Sequence, residues 1–156
     1  MKKLLAALTC TLLAGCGGGV IPDSSGGSTS VGVTIPQLST SISILTGDVD
    51  VKVSVKNEYA LPLKSVRIFL VSYDHDSKLI RGTEATVEVP GPILRGQTLG
   101  PVELKSVMQN RDVRCVEVTR IEATRMDYVT LYATGREANA LIKGDARRAC
   151  STTSGA

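Results

Sequence analysis

The nine residues Asp48-Val49-Asp50-Val51-Lys52-Val53-Ser54-Val55-Lys56 decide the fold. Valine takes every second position, and charged or hydroxyl side chains take the rest. In an extended chain successive side chains point to opposite faces, so Val49, Val51, Val53 and Val55 share one face and the polar residues share the other. On a helix of 3.6 residues per turn the same valines would scatter around the axis. The stretch therefore predicts a half-buried antiparallel strand.

Reading outward, the chain continues in the same mode. Upstream, Ser41-Ile42-Ser43-Ile44-Leu45 predicts a short alternating strand. Downstream, Pro62 breaks a connection, and Lys64 to Tyr73 predicts a second strand with apolar residues on both faces, as a central strand has. Asp74-His75-Asp76-Ser77-Lys78 predicts a turn in which Asp and Ser side chains cap local backbone groups, and Leu79-Ile80 resumes the strand. Thr83 to Val89 is rich in β-formers, and Pro90-Gly91-Pro92 is expected to stop it. Thr98 to Lys105 is interrupted by Gly100-Pro101, which favours an edge position or a bulge. Val113 to Thr124 is β-branched, and its alternation slips between Val118 and Ile121, the mark of a bulge. Tyr128 to Tyr132 predicts the last strand, and helix formers over Glu137 to Lys143 allow a short helix. About seven short strands with frequent turns point to an all-β antiparallel sandwich.

Composition narrows what such a domain does. The chain has 156 residues, enough for one domain. Aromatics make up 3% and tryptophan is absent, so stacking platforms for bases or sugars are not expected, and the core falls to Val, Ile and Leu. Once Lys2 and Lys3 are set aside, 16 basic residues face 15 acidic ones, which is no footprint for nucleic acid.

The amino terminus explains why those lysines are set aside. Met1-Lys2-Lys3 precedes the eleven apolar or small residues Leu4 to Ala14, too short for a span, which needs about 20. The run closes on Leu13-Ala14-Gly15-Cys16, which resembles the lipobox of bacterial lipoproteins. The resemblance implies a signal peptide over 1–15, a diacylglycerol on the Cys16 thiol, cleavage before Cys16 and acylation of the new amine. Two or more acyl chains make a stable anchor. Gly17, in place of the aspartate that retains such proteins at the inner membrane of enteric-type bacteria, leans towards an outer-membrane lipoprotein facing the periplasm. Residues 16–37, with Gly17-Gly18-Gly19 and Ser24-Ser25-Gly26-Gly27-Ser28-Thr29-Ser30, read as a flexible tether. Residues 38–150 are then the sandwich and 151–156 a frayed tail.

With Cys10 in the leader and Cys16 acylated, Cys115 and Cys150 remain, an even pair in an oxidising compartment. They are expected to form one disulfide, closing 34 intervening residues. That would bring the segment after Gly135 back across the sheet. The plainer alternative is a buried thiol at Cys115 and an exposed one at Cys150.

A second resemblance covers about residues 49 to 105. Val55-Lys56-Asn57, Leu61-Pro62-Leu63-Lys64-Ser65-Val66 and Arg67-Ile68-Phe69-Leu70-Val71-Ser72-Tyr73-Asp74 follow the course of FxLYD-type immunoglobulin-like domains of exported bacterial proteins. The glycine usual after the second turn aspartate is Ser77 here. The resemblance implies an immunoglobulin-like sandwich and brings no catalytic or binding residue with it.

Chemistry-bearing residues are sparse. Asp74-His75-Asp76 offers too few ligands, at the wrong spacing, for a calcium or zinc site, and it is a natural hairpin turn. His75 is the sole histidine, and no serine sits in a nucleophile elbow. The expectation is therefore no catalytic residue, no metal and no cofactor. Arg111, Arg114, Arg120 and Arg125 read as a solvated strand face paired with Glu117 and Glu122, or, more sharply, as a surface for an acidic partner. Two functions remain open. One is a membrane-anchored envelope protein acting by protein contact, as an accessory or assembly component of a complex. The other is a lipoprotein that captures a small molecule or ion for a transporter, which would need an apolar pocket.

Overall fold

The computed structural model describes residues 31–143. Cys16, the leader, residues 17–30 of the tether, Arg147-Arg148, Cys150 and the tail lie outside the described residues. Among those described, no helix is long and apolar enough to cross a membrane.

Seven antiparallel strands build two facing sheets. Strands β1 (Val33–Ile42), β2 (Asp48–Asn57) and β5 (Thr98–Gln109) form one, in the order β1-β2-β5. Strands β3 (Leu63–Tyr73), β4 (Ala85–Ile93), β6 (Cys115–Arg125) and β7 (Thr130–Thr134) form the other, in the order β4-β3-β6-β7. Relative to the immunoglobulin constant-type arrangement, the fourth strand has moved from the first sheet to the edge of the second. The four alternating valines of β2 are at most 1% exposed, and they meet Val66, Ile68 and Leu70 of β3 and Val116, Val118 and Ile121 of β6 in one core. Each such side chain contributes roughly 1.5–3 kcal/mol by leaving water. β3 is central, flanked by β4 and β6, which is why both its faces carry apolar residues.

Three expectations change. The strand expected at Ser41–Leu45 starts earlier and ends earlier. Val33 to Gln37, expected in the tether, open β1, because Val31, Val33 and Ile35 are buried at 1% exposure or less. Pro36 is tolerated at a register shift between Thr34 and Gln37 on an edge strand, where its missing N–H costs no ladder bond. Ile44 and Leu45 instead stand in the following turn, 86% and 85% exposed. Pro90-Gly91-Pro92 does not stop its strand either; it lies inside β4, again at an edge. Leu79-Ile80 forms only an isolated bridge, Tyr73 to Leu79.

Gly100-Pro101 is both at an edge and beside a register shift opposite Val53 and Val55. The bulge in β6 falls where the alternation slips: Phe69 faces Arg120 while Leu70 faces Val118, leaving Thr119 extra. Helix α1 (Gly135–Leu141) folds back against the sandwich and buries Ala138 and Leu141. Ile142 bridges Ile35, and the Lys143 backbone N–H donates to the Ile35 carbonyl at 2.9 Å. The C-terminal segment thus holds a place in the core, with Leu141 and Ile142 at most 3% exposed.

Candidate functional site

The Thr119 bulge gathers an interlocked cluster of side chains on the outer face of the four-stranded sheet. Val116 and Val118 point into the core. One inserted residue restores the inward side at Ile121 and Ala123, so Arg120 and Glu122 are turned outward. On β3 the outward positions are Arg67 and Phe69. Register then sets Glu122 between Arg67 of β3 and Tyr132 of β7, and Phe69 beside Arg120.

These side chains interlock. Glu122 Oε2 lies 2.7 Å from Arg67 Nη2, and Glu122 Oε1 pairs with Arg120 Nη2. The Arg120 guanidinium carbon sits 5.5 Å from the Phe69 ring centre and 5.0 Å from that of Tyr132, so it lies between two aromatic faces. Arg67 reaches the Phe69 ring at 6.0 Å. Glu122 side-chain exposure is 7%, against 43% for each arginine. The carboxylate is therefore covered by the guanidiniums it holds, and their outer edges face solvent. Two half-exposed arginines face one buried carboxylate, and the exposed Glu88, directly across from Arg67 in the β3–β4 register, brings the local charge to zero.

The four arginines singled out in the sequence do not converge. Arg120 joins this cluster. Arg125 lies at the end of β6, paired with Asp127 and over the Tyr59 ring at 5.6 Å. Arg114 donates to the carbonyls of Arg111 and Val113, a local bond. Glu122 pairs with Arg120 as expected, whereas Glu117 accepts the Tyr73 hydroxyl. That bond raises the Tyr73 phenol above its ordinary pKa, with burial and the nearby charge adding to it. Arg67, Phe69 and Tyr132 were not singled out from the sequence. The available signal was the outward parity of Arg67 and Phe69 in β3 and the alternation of β7.

Asp74, His75 and Asp76 offer ligand atoms within 4.8 Å of one another, Asp74 half-buried and the other two exposed. The Asp74 carboxylate is already engaged by the turn: its Oδ1 accepts the backbone N–H groups of Asp76 and Lys78, each at 2.9 Å. The bond from Lys78 is the main reason its pKa is lowered. On the outer face of the other sheet, a groove of about 350 Å³ runs between Ser39–Ser41 and Asp50, Lys52, Glu103 and Lys105. Its charges satisfy one another, Lys52 with Glu103 at 2.9 Å and Lys105 with Asp50 at 3.0 Å. Cys115, at the start of β6, is disulfide-bonded, and Cys150 lies outside the described residues.

No family model, curated protein or solved structure matches this chain.

Proposed function

We propose that this chain is a lipid-anchored cell-envelope protein, held through Cys16 and facing the periplasm from the outer membrane, whose sandwich acts by contact with another envelope protein. The carrying observation is the Arg67–Glu122–Arg120 cluster locked between Phe69 and Tyr132. Arginine and aromatic side chains dominate the energetic centres of protein interfaces. Here the guanidinium of Arg120 is already immobilised, so little side-chain entropy remains to be lost on docking. The solvent-facing edges of Arg67 and Arg120 suit a partner that offers a carboxylate to them. A disulfide-bonded Cys115 fits an exported protein, and the expected partner is Cys150. The immunoglobulin-like reading of the fold, with its FxLYD-type resemblance, agrees with a contact module.

The test is a photoreactive amino acid at Thr86 or Thr134, the neighbours of the cluster, in cells carrying the full chain. One defined protein adduct is expected, and Arg120→Glu should abolish it. An adduct unchanged by Arg120→Glu, or none with the acylated chain abundant, refutes the proposal.

A further inference from the structure

We infer that the end of the sandwich at which the tether joins is a membrane-seating surface, taking an anionic phospholipid bilayer as its partner. The inference rests on the proposed acylation of Cys16. Three loops meet at this end: 58–62, 94–97 and 126–129. They are tied together and to the start of the domain. The Glu58 backbone N–H donates to the Gly32 carbonyl at 2.9 Å, and Asn57 Nδ2 donates to the carbonyls of Leu61 and Ile93, each at 2.9 Å. Lys64 Nζ sits 4.1 Å from the Tyr128 ring centre.

The tips of these loops are apolar and uncovered: Leu61, Leu94, Met126, Tyr128 and Val129 are 44% to 74% exposed. Of the cations on these loops and the strand ends beside them, Lys56 is paired with Glu58 at 2.8 Å and Arg125 with Asp127, which leaves Arg95 and Lys64, the latter over the Tyr128 ring, as the excess charge. Apolar tips ringed by excess positive charge are what an interfacial contact needs. The tips enter the headgroup boundary, and the cations stay with anionic lipid while their stems lie along the apolar layer.

Chain length selects the end. Between Cys16 and Val31 lie 14 residues, and a random coil of that many residues has a mean end-to-end distance of roughly 20 Å. A ten-residue strand such as β2 is about 33 Å long. The described domain begins at Val31, at this end, so seating this end needs no extension of the tether, whereas seating the opposite end would draw it out towards a full strand length at a cost in chain entropy. A tether this short gives a local concentration on the order of millimolar, at which weak loop–lipid contacts are populated.

The test uses the full chain, matured in a bacterium, purified with its lipid and reconstituted in phosphatidylethanolamine–phosphatidylglycerol vesicles that carry a photoactivatable phospholipid. The label should fall on 58–62, 94–97 and 126–129, and largely disappear in the triple variant Leu94→Ser, Met126→Ser, Val129→Ser. The Ile44–Leu45 turn at the opposite end is the internal control, since it is the more exposed apolar pair. Label there equal to that on the three loops overturns the inference, as does an acylated chain with no label on them. The mass of the amino-terminal peptide separates the two readings: Cys16 without acyl chains overturns the anchor and the seating surface together.

Discussion

Asn57 is fully buried at the end of β2, and its side chain bonds at every position it can reach. Nδ2 donates to the carbonyls of Leu61 and Ile93, each at 2.9 Å, and Oδ1 accepts the Tyr59 backbone N–H at 2.8 Å. It pins the 58–62 connection to the end of β4. Asn57→Ala removes three hydrogen bonds of about 1 kcal/mol each and strands two carbonyls and an N–H, so the expected loss is roughly 3 kcal/mol. Against a total stability of about 5–15 kcal/mol for a domain, that is a large fraction.

Asn57→Asp keeps the volume and separates hydrogen bonding from packing. Ionised, the introduced carboxylate has no donor and faces two carbonyls; protonated, it keeps the Tyr59 bond and can donate to one carbonyl. Its pKa is thus raised in the folded state above the unfolded value of about 3.9. A group raised in this way is least costly below the unfolded pKa, and its cost grows as pH rises towards the folded pKa, by at most about 1.4 kcal/mol per pH unit. The expectation is a deficit near 1 kcal/mol at pH 4, smaller than that of Asn57→Ala, and a deficit exceeding that of Asn57→Ala at pH 7. Urea unfolding followed by far-UV circular dichroism at both pH values measures it. Equal deficits at the two pH values, or an alanine variant within 0.5 kcal/mol of the parent, roughly the effect of an ordinary surface substitution, would refute the reasoning.

Cys16→Ala is expected to leave the precursor uncut and without acyl mass; normal cleavage on intact-mass analysis refutes the lipobox reading. Thiol labelling of the denatured, unreduced mature chain should find Cys115 and Cys150 blocked, and peptide mapping should join them; a map joining Cys115 to another residue overturns the pairing. Asp50 accepts the Ser106 backbone N–H at 2.9 Å and pairs with Lys105 at 3.0 Å, which together hold its pKa below the ordinary carboxylate value of 3.8. It therefore stabilises the fold above that value and loses the effect as pH falls through the folded pKa, so the advantage of the parent over Asp50→Asn should shrink between pH 5 and pH 2; urea midpoints that keep a constant gap would count against it.

How much could be read from the chain follows from what each feature depends on. β2 was legible because one strand with valines on one face and charges on the other is a local pattern. The β6 bulge was legible for the same reason, as a slip between Val118 and Ile121 visible within a few residues. The start of β1 was not, because Pro36 and the Gly/Ser run before it look like tether, while its edge position and the burial of Val33 and Ile35 depend on β2. Pro90-Gly91-Pro92 misled in the same way, since a stop signal in a central strand is tolerated at an edge. The cluster was half legible. Arg120 and Glu122 stood out as charges on one strand, but Arg67 and Tyr132 come from strands paired with β6 by a register that no local pattern contains.

That register also sets where the proposed contact face lies. Glu122 lies three residues before the end of β6 and Arg120 five, with Tyr132 at the middle of β7. At about 3.3 Å per residue Glu122 lies roughly 10 Å and Arg120 roughly 17 Å from the end of β6, where the 126–129 loop begins. With those loops on lipid, the strands rise from the bilayer and the cluster faces sideways, close to the headgroups. On the proposed anchoring, a partner that reaches Arg120 there is expected among membrane-held envelope proteins. A crosslink from Thr86 or Thr134 to a freely diffusing periplasmic protein would break this link between anchor and contact face while leaving each to be judged on its own test.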